Sequence, residues 1–272
     1  MEKDIERAAE AIKKAAAILV GAGAGMGVDS GLPDFRGSEG FWRAYPAFEH
    51  LGLSFSNLAN PRWFSEDPRL AWGFYGHRLH LYRDTKPHGG FDTLKRLAAG
   101  KSIFAFTSNV DGQFQRAGWS PQQVYEVHGS IHWMQCSAVC SAEVWAAEGI
   151  DVEVDESTFR AVGALPLCPR CGAVARPNIL MFGDFGFQEG RAWRQSRVYK
   201  QWRQDHGNEG LVIIEIGAGN AVPTVRMECE SLLGLEAESL VRINPRESEG
   251  PTGTISISMG GAQALEMIEE KI

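Results

Sequence analysis

The stretch Ala17-Ile18-Leu19-Val20-Gly21-Ala22-Gly23-Ala24-Gly25-Met26-Gly27 decides how the rest of the chain is read. Ala17–Val20 is short, apolar and continuous, as a strand buried on both faces of a parallel sheet should be. It runs straight into alternating glycines. Glycines there let the backbone approach a phosphate, and the N-terminus of a following helix would favour the negative charge. The spacing is Gly21-x-Gly23, with Met26 where the third glycine of a dinucleotide fingerprint would stand. Turns of this kind also follow strands for purely structural reasons, so this one alone assigns no ligand. A second glycine-rich strand end, Gly217-Ala218-Gly219-Asn220, follows the apolar run Leu211–Ile216. Two such turns at strand C-termini would frame one crevice, the place where open α/β sheets bind ligands.

Outward from that stretch, Ile5, Ala8, Ala9, Ile12 and Ala16 lie at helical spacing and predict an amphipathic helix over 2–16. Further apolar, β-branched runs at Ile103–Phe106, Val124–Val127, Ile179–Phe182 and Leu240–Ile243 read as strands, and Gly90–Ala99 and Pro223–Leu235 read as helices between them. Strand alternating with helix argues for an α/β doubly wound parallel sheet. Two stretches break the rhythm. Residues 41–86 are aromatic and helical in pattern, with Asp67-Pro68 suited to an N-cap and first helical position. Residues 134–175 are punctuated by cysteines and hold no long periodic segment. Both read as inserts that form a smaller module beside the sheet.

Composition narrows the function classes. The 272 residues carry 27 Lys and Arg against 34 Asp and Glu, a formal net charge of −7. A general binder of phosphate backbones needs the opposite balance, so nucleic acid is not expected as a direct partner. No apolar run approaches the roughly 20 residues of a membrane span. Charged residues crowd the positions after Met1, so no signal-peptide core is read there. The expectation is a soluble, cytoplasmic protein without a membrane partner.

The cysteines supply the sharpest chemical signal. Cys136-x3-Cys140 is followed after 27 residues by Cys168-x2-Cys171. Two close pairs of thiolates provide the four soft ligands of a tetrahedral zinc ion, and Pro169 and Gly172 suit a tight metal knuckle. Four unrelated buried cysteines, or a redox pair, are the competing readings. A site closed by four cysteines would be structural rather than catalytic. Cys229 stands apart and reads as a small buried apolar residue.

Polar residues gather just past the strand ends: Ser30-Gly31-Leu32-Pro33-Asp34-Phe35-Arg36, Thr107-Ser108-Asn109-Val110-Asp111 and His128-Gly129. Each also fits ordinary turn chemistry. His50, His77, His80, His88, His132 and His206 take the structural reading. His128 differs because it follows a strand and precedes a glycine, where a base can stand over a crevice.

Taken together and in order, 21–37, TSNVDG (107–112), His128-Gly129, the four cysteines, RPNILMFGD (176–184), GAGNAVP (217–223) and Ile243-Asn244 resemble the sirtuins, the NAD-dependent protein-lysine deacylases, in their bacterial type. The resemblance runs over about residues 10–270. It implies a Rossmann-like NAD-binding domain of residues 1–40, 87–133 and 173–272. A small domain would combine a helical insert (41–86) with a zinc ribbon (134–172) holding one structural zinc on Cys136, Cys140, Cys168 and Cys171. NAD and an acyl-lysine protein substrate would meet in the cleft between them. By the same resemblance Gly21, Ala22, Gly23, Asp34, Phe35 and Arg36 would hold and cover the cofactor, with Ser108 at the position of its ribose contact. Asn109 and Asp111 would line the nicotinamide pocket and take part in catalysis. Gly217 and Asn244 would contact the adenosine half, and Phe182 and Gly183 the peptide. His128 would be the general base. In the family reaction the acyl oxygen displaces nicotinamide from the ribose, the base activates a ribose hydroxyl, and free lysine and O-acyl-ADP-ribose result.

Tyr75 and Arg78 sit at i, i+3 in Trp72–Arg78 and fall on one helix face. Spacing alone reads them as a core aromatic beside a solvated arginine. Their place between Asp34-Phe35-Arg36 and Thr107-Ser108-Asn109-Val110-Asp111 resembles that of the Tyr-x-x-Arg pair of class III sirtuins, which binds the carboxylate of succinyl- or malonyl-lysine. Four departures accompany the resemblance. Ser108 stands for a Gln, Ala218-Gly219 for Thr-Ser, and Phe182-Gly183-Asp184-Phe185 for Phe-Gly-Glu. Glu215 puts a carboxylate inside a strand, where it is costly unless paired or facing the cleft. The competing functions are protein ADP-ribosylation or NAD hydrolysis on the same fold, and a non-catalytic NAD sensor; a retained His128 favours deacylation.

Overall fold

A computed structural model of the chain describes residues 1–34, 52–155, 157–207 and 210–272. The strands are β1 (Ala17–Ala22), β2 (Ser102–Thr107), β3 (Val124–Glu126), β4 (Gly129–Cys136), β5 (Val144–Ala146), β6 (Val154–Asp155), β7 (Arg160–Ala161), β8 (Ala175–Ile179), β9 (Leu211–Ile216), β10 (Ala237–Ile243) and β11 (Ile255–Ile257). The helices described are α1 (Glu2–Lys14), α2 (Phe55–Leu58), α3 (Trp63–Glu66), α4 (Pro68–Asp84), α5 (Gly90–Leu97), α6 (Gln113–Arg116), α7 (Gly190–His206), α8 (Thr224–Leu232) and α9 (Gly261–Glu269).

Six strands pair in parallel in the order β11-β10-β9-β1-β2-β3. All residues of β1 and β9 are buried, which is why their runs show no alternation and are apolar but for Glu215 in β9. Side chains divide by parity along the strands. Ile18, Val20, Val212 and Ile214 pack with Ile5, Ile12, Leu94 and Leu265 from α1, α5 and α9. Ala17, Leu19, Leu211 and Ile213 pack with Tyr199, Val225 and Leu232 from α7 and α8 on the other face. The order reverses between β1 and β9, so a crevice opens beyond their C-terminal ends.

The small module is built on a three-stranded antiparallel sheet, β5-β4-β8, with the β6-β7 hairpin and α4 beside it. Asp67 caps α4 by accepting from the Leu70 N–H at 3.2 Å, with Pro68 at the first helical position. Trp72 on that helix is fully buried and its indole N–H donates to the Ala175 carbonyl at 2.9 Å.

Beyond β4–β7, α6 and α9, which the expectation did not contain, three elements differ from it. The strand read at Ile179–Phe182 is instead Ala175–Ile179, and it pairs antiparallel with β4 in the small sheet. Helix α7 was not foreseen, because only Ala192 and Tyr199 of its 17 residues are buried and no apolar stripe marks it. The third is β11, a three-residue edge strand. The expected domain division at 133/134 falls inside β4, and residues 35–51, part of both expected segments, lie outside the described residues.

Candidate active site

The two glycine turns meet at the reversal of strand order. The Gly23 N–H donates to the Ile216 carbonyl and the Gly25 N–H to the Gly217 carbonyl, each at 3.0 Å. A Cβ on Gly23 would lie 2.6 Å from the Ala218 Cα, and one on Gly217, whose φ is +63°, would lie 2.4 Å from the Gly25 carbonyl carbon. Glycine is therefore required by backbone packed on backbone. The helix expected after the first turn is Ala24–Ser30, and it is of 3-10 type.

Beside this contact opens a cleft of about 760 Å³. Of the residues singled out in the sequence, Gly23, Asp34, Tyr75, Arg78, Ser108, Asn109, Asp111, His128, Phe182 and Gly217 line it. Gly21, Ala22, Gly183 and Asn244 are not on its wall. A Cβ on Gly21 would lie 2.4 Å from the Cys229 sulfur, so that glycine serves the packing of β1 under α8. Ala22 offers its carbonyl to the Ser108 N–H and the Thr107 hydroxyl, at 3.2 and 2.9 Å. Asn244 is wholly buried. Its amide donates to the Ala218 carbonyl at 2.9 Å, and its oxygen accepts from the Arg246 and Glu247 N–H groups. Phe35 and Arg36 lie outside the described residues.

Three side chains from the ends of β2 and β3 face the cleft. Asn109 donates to the Gly23 carbonyl at 2.9 Å. Asp111 is buried, and desolvation pushes its carboxyl up to about 6 against the pull of the Gln113 N–H, which donates to it at 2.9 Å. The Glu126 carboxylate adds to the rise. His128 sits between β3 and β4, its Nε2 3.3 Å from the Thr224 hydroxyl. Burial lowers its pKa below the ordinary value, and a hydrogen bond to the Ser108 main chain works the other way. The ring is thus a neutral base at pH 7.

Tyr75 and Arg78 both point inward from α4 and are buried. The structural alternative of a solvated arginine is overturned. The guanidinium lies 5.1–5.8 Å from the ring centres of Phe55, Phe74, Tyr75 and Tyr82. Its Nη2 and Nε donate to the Tyr82 hydroxyl at 2.7 and 3.1 Å. Tyr82 also lines the cleft and was missed; it falls one turn beyond Arg78, a spacing that gave the only available hint. The Tyr75 hydroxyl is buried without a hydrogen-bond partner, and desolvation pushes its pKa up to about 12. A buried donor left in that state is available to a ligand atom.

Asp184 does not reach into the cleft. It takes both ends of the buried Arg176 guanidinium at 2.8 Å and accepts from the Met181 and Gly186 N–H groups. That clamp shapes the loop carrying Phe182. Glu215 likewise turns away from the cleft and pairs with Arg242. The other described histidines have structural partners, as His88 does with the Met26 carbonyl and the Gly90 N–H.

The four cysteine sulfurs of the small module lie within 4.8 Å of one another. The Cys136–Cys171 and Cys140–Cys168 pairs are 3.6 Å apart. Zinc–sulfur bonds of about 2.3 Å in a tetrahedron place sulfurs about 3.8 Å apart, so the donor set fits one zinc ion. Val139, at φ +52°, absorbs the extra residue of the first knuckle, and Gly172, at φ +74°, closes the second.

The glycine crevice, the facing histidine and the four-cysteine module define a class of protein with a nucleotide-type cleft between a Rossmann-like sheet and a metal-stabilised insert. Residues 23–201 match the Sir2 family model, and the chain belongs to the Sir2 family. It is 31% identical over 202 residues to an NAD-dependent protein deacylase of Thermus thermophilus, covering 72% of this chain and 70% of that one. It is 33% identical over 176 residues to an NAD-dependent protein deacylase of Pyrococcus furiosus, covering 64% of this chain. The match spans 63% of the length of the Pyrococcus protein, less than two thirds of it. Among solved structures, a Sir2 homolog–NAD complex superposes with a TM-score of 0.72 at 23% identity over 98% of this chain and 93% of that chain. A Sir2 bound to acetylated peptide gives 0.70 at 20% identity, over 98% of each. Among the described residues no helix is long and apolar enough to cross a membrane.

Proposed function

We propose that the chain is an NAD-dependent protein-lysine deacylase that prefers acidic acyl groups such as succinyl or malonyl. One observation carries this reading: a single cleft contains a neutral imidazole, His128, and a buried guanidinium, Arg78. The relatives named as NAD-dependent protein deacylases support the reaction class. NAD, when bound, supplies a ribose carbon that an acyl oxygen can attack with nicotinamide as the leaving group.

The chain's own residues do the rest. Asn109 and Asp111 border the cleft below the first glycine turn, and Gly23 and Gly217 offer it backbone without side-chain bulk. His128 accepts a proton from a hydroxyl brought against it, because burial keeps the imidazole unprotonated at neutral pH. Hydrogen bonds to Thr224 and to the Ser108 main chain fix its ring. Arg78 holds a terminal carboxylate with the Tyr75 hydroxyl as a second donor, and an acetyl group would leave the Tyr75 hydroxyl unsatisfied.

Incubation with NAD and a panel of acyl-lysine peptides, read by mass, tests this. The expected products are free lysine peptide, nicotinamide and O-succinyl-ADP-ribose. Free ADP-ribose alone, or ADP-ribosylated protein, would overturn the assignment in favour of hydrolysis or transfer.

A further inference from the structure

Glu215 and Arg242 stand opposite each other in register on β9 and β10, both completely shut off from water. An apolar pair of similar volume often fills a core as well as a buried ion pair, so stability alone is a poor reason for this one. The partners reveal another role. Arg242 Nε lies 2.7 Å from Glu215 Oε1, and Nη2 donates to Glu215 Oε2 at 2.8 Å and to Glu230 Oε1 on α8 at 2.7 Å. Its Nη1 donates at 2.7 Å to the main-chain carbonyl of Glu249. One turn before Glu230, Arg226 is also buried, and its donors go to main-chain carbonyls: Ala218 at 3.1 Å, Glu249 at 3.3 Å, and Glu247.

These carbonyls belong to the loops after β9 and β10. Gly217, Ala218, Gly219, Asn220 and Glu247 from those loops form one wall of the cleft. Ala218-Gly219 carries no hydroxyl, so this stretch of the wall presents main-chain groups to a ligand. Their positions depend on what grips the carbonyls behind them. Two carboxylates and two guanidinia make a net-neutral set in which both anions aim Arg242 and Arg226 grips main-chain carbonyls beside it.

We propose that Glu215, Arg226, Glu230 and Arg242 are a positioning cluster that sets the wall against which the adenosine half of a dinucleotide rests. The inference depends on the cleft being a dinucleotide site, and its test separates the two ideas.

The probe is ADP-ribose, with binding read by calorimetry so that no turnover is needed, alongside melting temperature and the KM for acyl peptide. Glu215→Gln leaves Arg242 short of an anion and is expected to lower the melting temperature and to weaken ADP-ribose about tenfold. The double variant Glu215→Leu/Arg242→Met removes both charges. It is expected to recover the melting temperature while ADP-ribose stays about tenfold weaker, since the Glu249 carbonyl has lost Arg242. Peptide KM should move less than about twofold in either. Ile5→Val, in the core on the other face of the sheet, should lower the melting temperature without weakening ADP-ribose. Arg226→Lys keeps the charge but not the three-way grip and decides the matter if the double variant does not fold. Weaker ADP-ribose at an unchanged melting temperature supports the cluster, and unchanged affinity overturns it. Equal weakening in Ile5→Val also overturns it, because a general loosening would then suffice. Wild type that binds no ADP-ribose overturns the dinucleotide reading and the cluster with it.

Discussion

The Tyr82 hydroxyl accepts two hydrogen bonds from the Arg78 guanidinium, from Nη2 at 2.7 Å and from Nε at 3.1 Å. Both residues lie on one face of α4, a turn apart, among the rings of Phe55, Phe74 and Tyr75. A phenol that fixes one edge of a planar cation also fixes the direction of its other donors. On the proposed reading, that orientation in a water-poor, aromatic site selects which acyl groups fit.

Succinyl-lysine peptide should therefore give a higher kcat/KM than acetyl-lysine peptide. Arg78→Met should reduce the succinyl value by about tenfold to a hundredfold, the weight of hydrogen bonds to a charged group, and flatten or reverse the preference. Tyr82→Phe keeps the cation but loses its orientation, and a loss of about fivefold confined to the acidic acyl peptide is expected. Steady-state kinetics on matched peptides check both. Equal or better wild-type activity on acetyl-lysine would return Tyr75 and Arg78 to a structural role.

His128→Ala should lower kcat by about a hundredfold or more while ADP-ribose affinity holds, because a general base acts after binding. The pH profile carries a sign. Burial depresses the imidazole pKa, so the base form persists below the ordinary value near 6.5. The acid limb of kcat/KM should accordingly fall below pH 6.5, with activity lost as pH drops through it. A limb centred above pH 7 would exclude this histidine as the base.

The central sheet was legible because β1 and β9 are buried on both faces and read as continuous runs, apolar in β9 but for Glu215. The small sheet was not, for a physical reason. β8 is polar in sequence, yet Arg176 and Asn178 are buried: Arg176 on Asp184, and Asn178 on Gln135 and the Gln188 carbonyl. The neighbouring Leu180 and Phe182, which look like strand residues, are exposed. The cysteine cluster was readable from spacing because ligand geometry tolerates few alternatives. Spacing could not say that Asn244 braces the Ala218 carbonyl from behind the wall, since a buried and a lining asparagine look alike in a sequence.

Purified protein should contain about one zinc per chain, held by the four cysteines. Cys171→Ser, at the most exposed ligand, should release it and lower the melting temperature, as metal binding contributes directly to folding. Metal analysis with thermal melts checks this. Folded wild type with far less than one zinc would overturn it.

Asp184 ties the Phe182 loop to β8 through Arg176, a pair whose side chains are almost fully buried. Asp184→Asn removes the charge but keeps the shape, leaving the Arg176 guanidinium without its anion. Breaking one partner of such a pair costs about 3–5 kcal/mol, more than an exposed pair could. The Met181 and Gly186 N–H groups would keep only the weaker amide oxygen as acceptor. The loop would loosen on the side of the cleft away from the glycine turns. Peptide KM should therefore rise while ADP-ribose affinity stays near wild type, with a clear drop in melting temperature. Kinetics with varied peptide, calorimetry with ADP-ribose and a thermal melt separate these effects. If ADP-ribose weakened as much as peptide, the Phe182 loop would belong to the nucleotide side of the cleft instead.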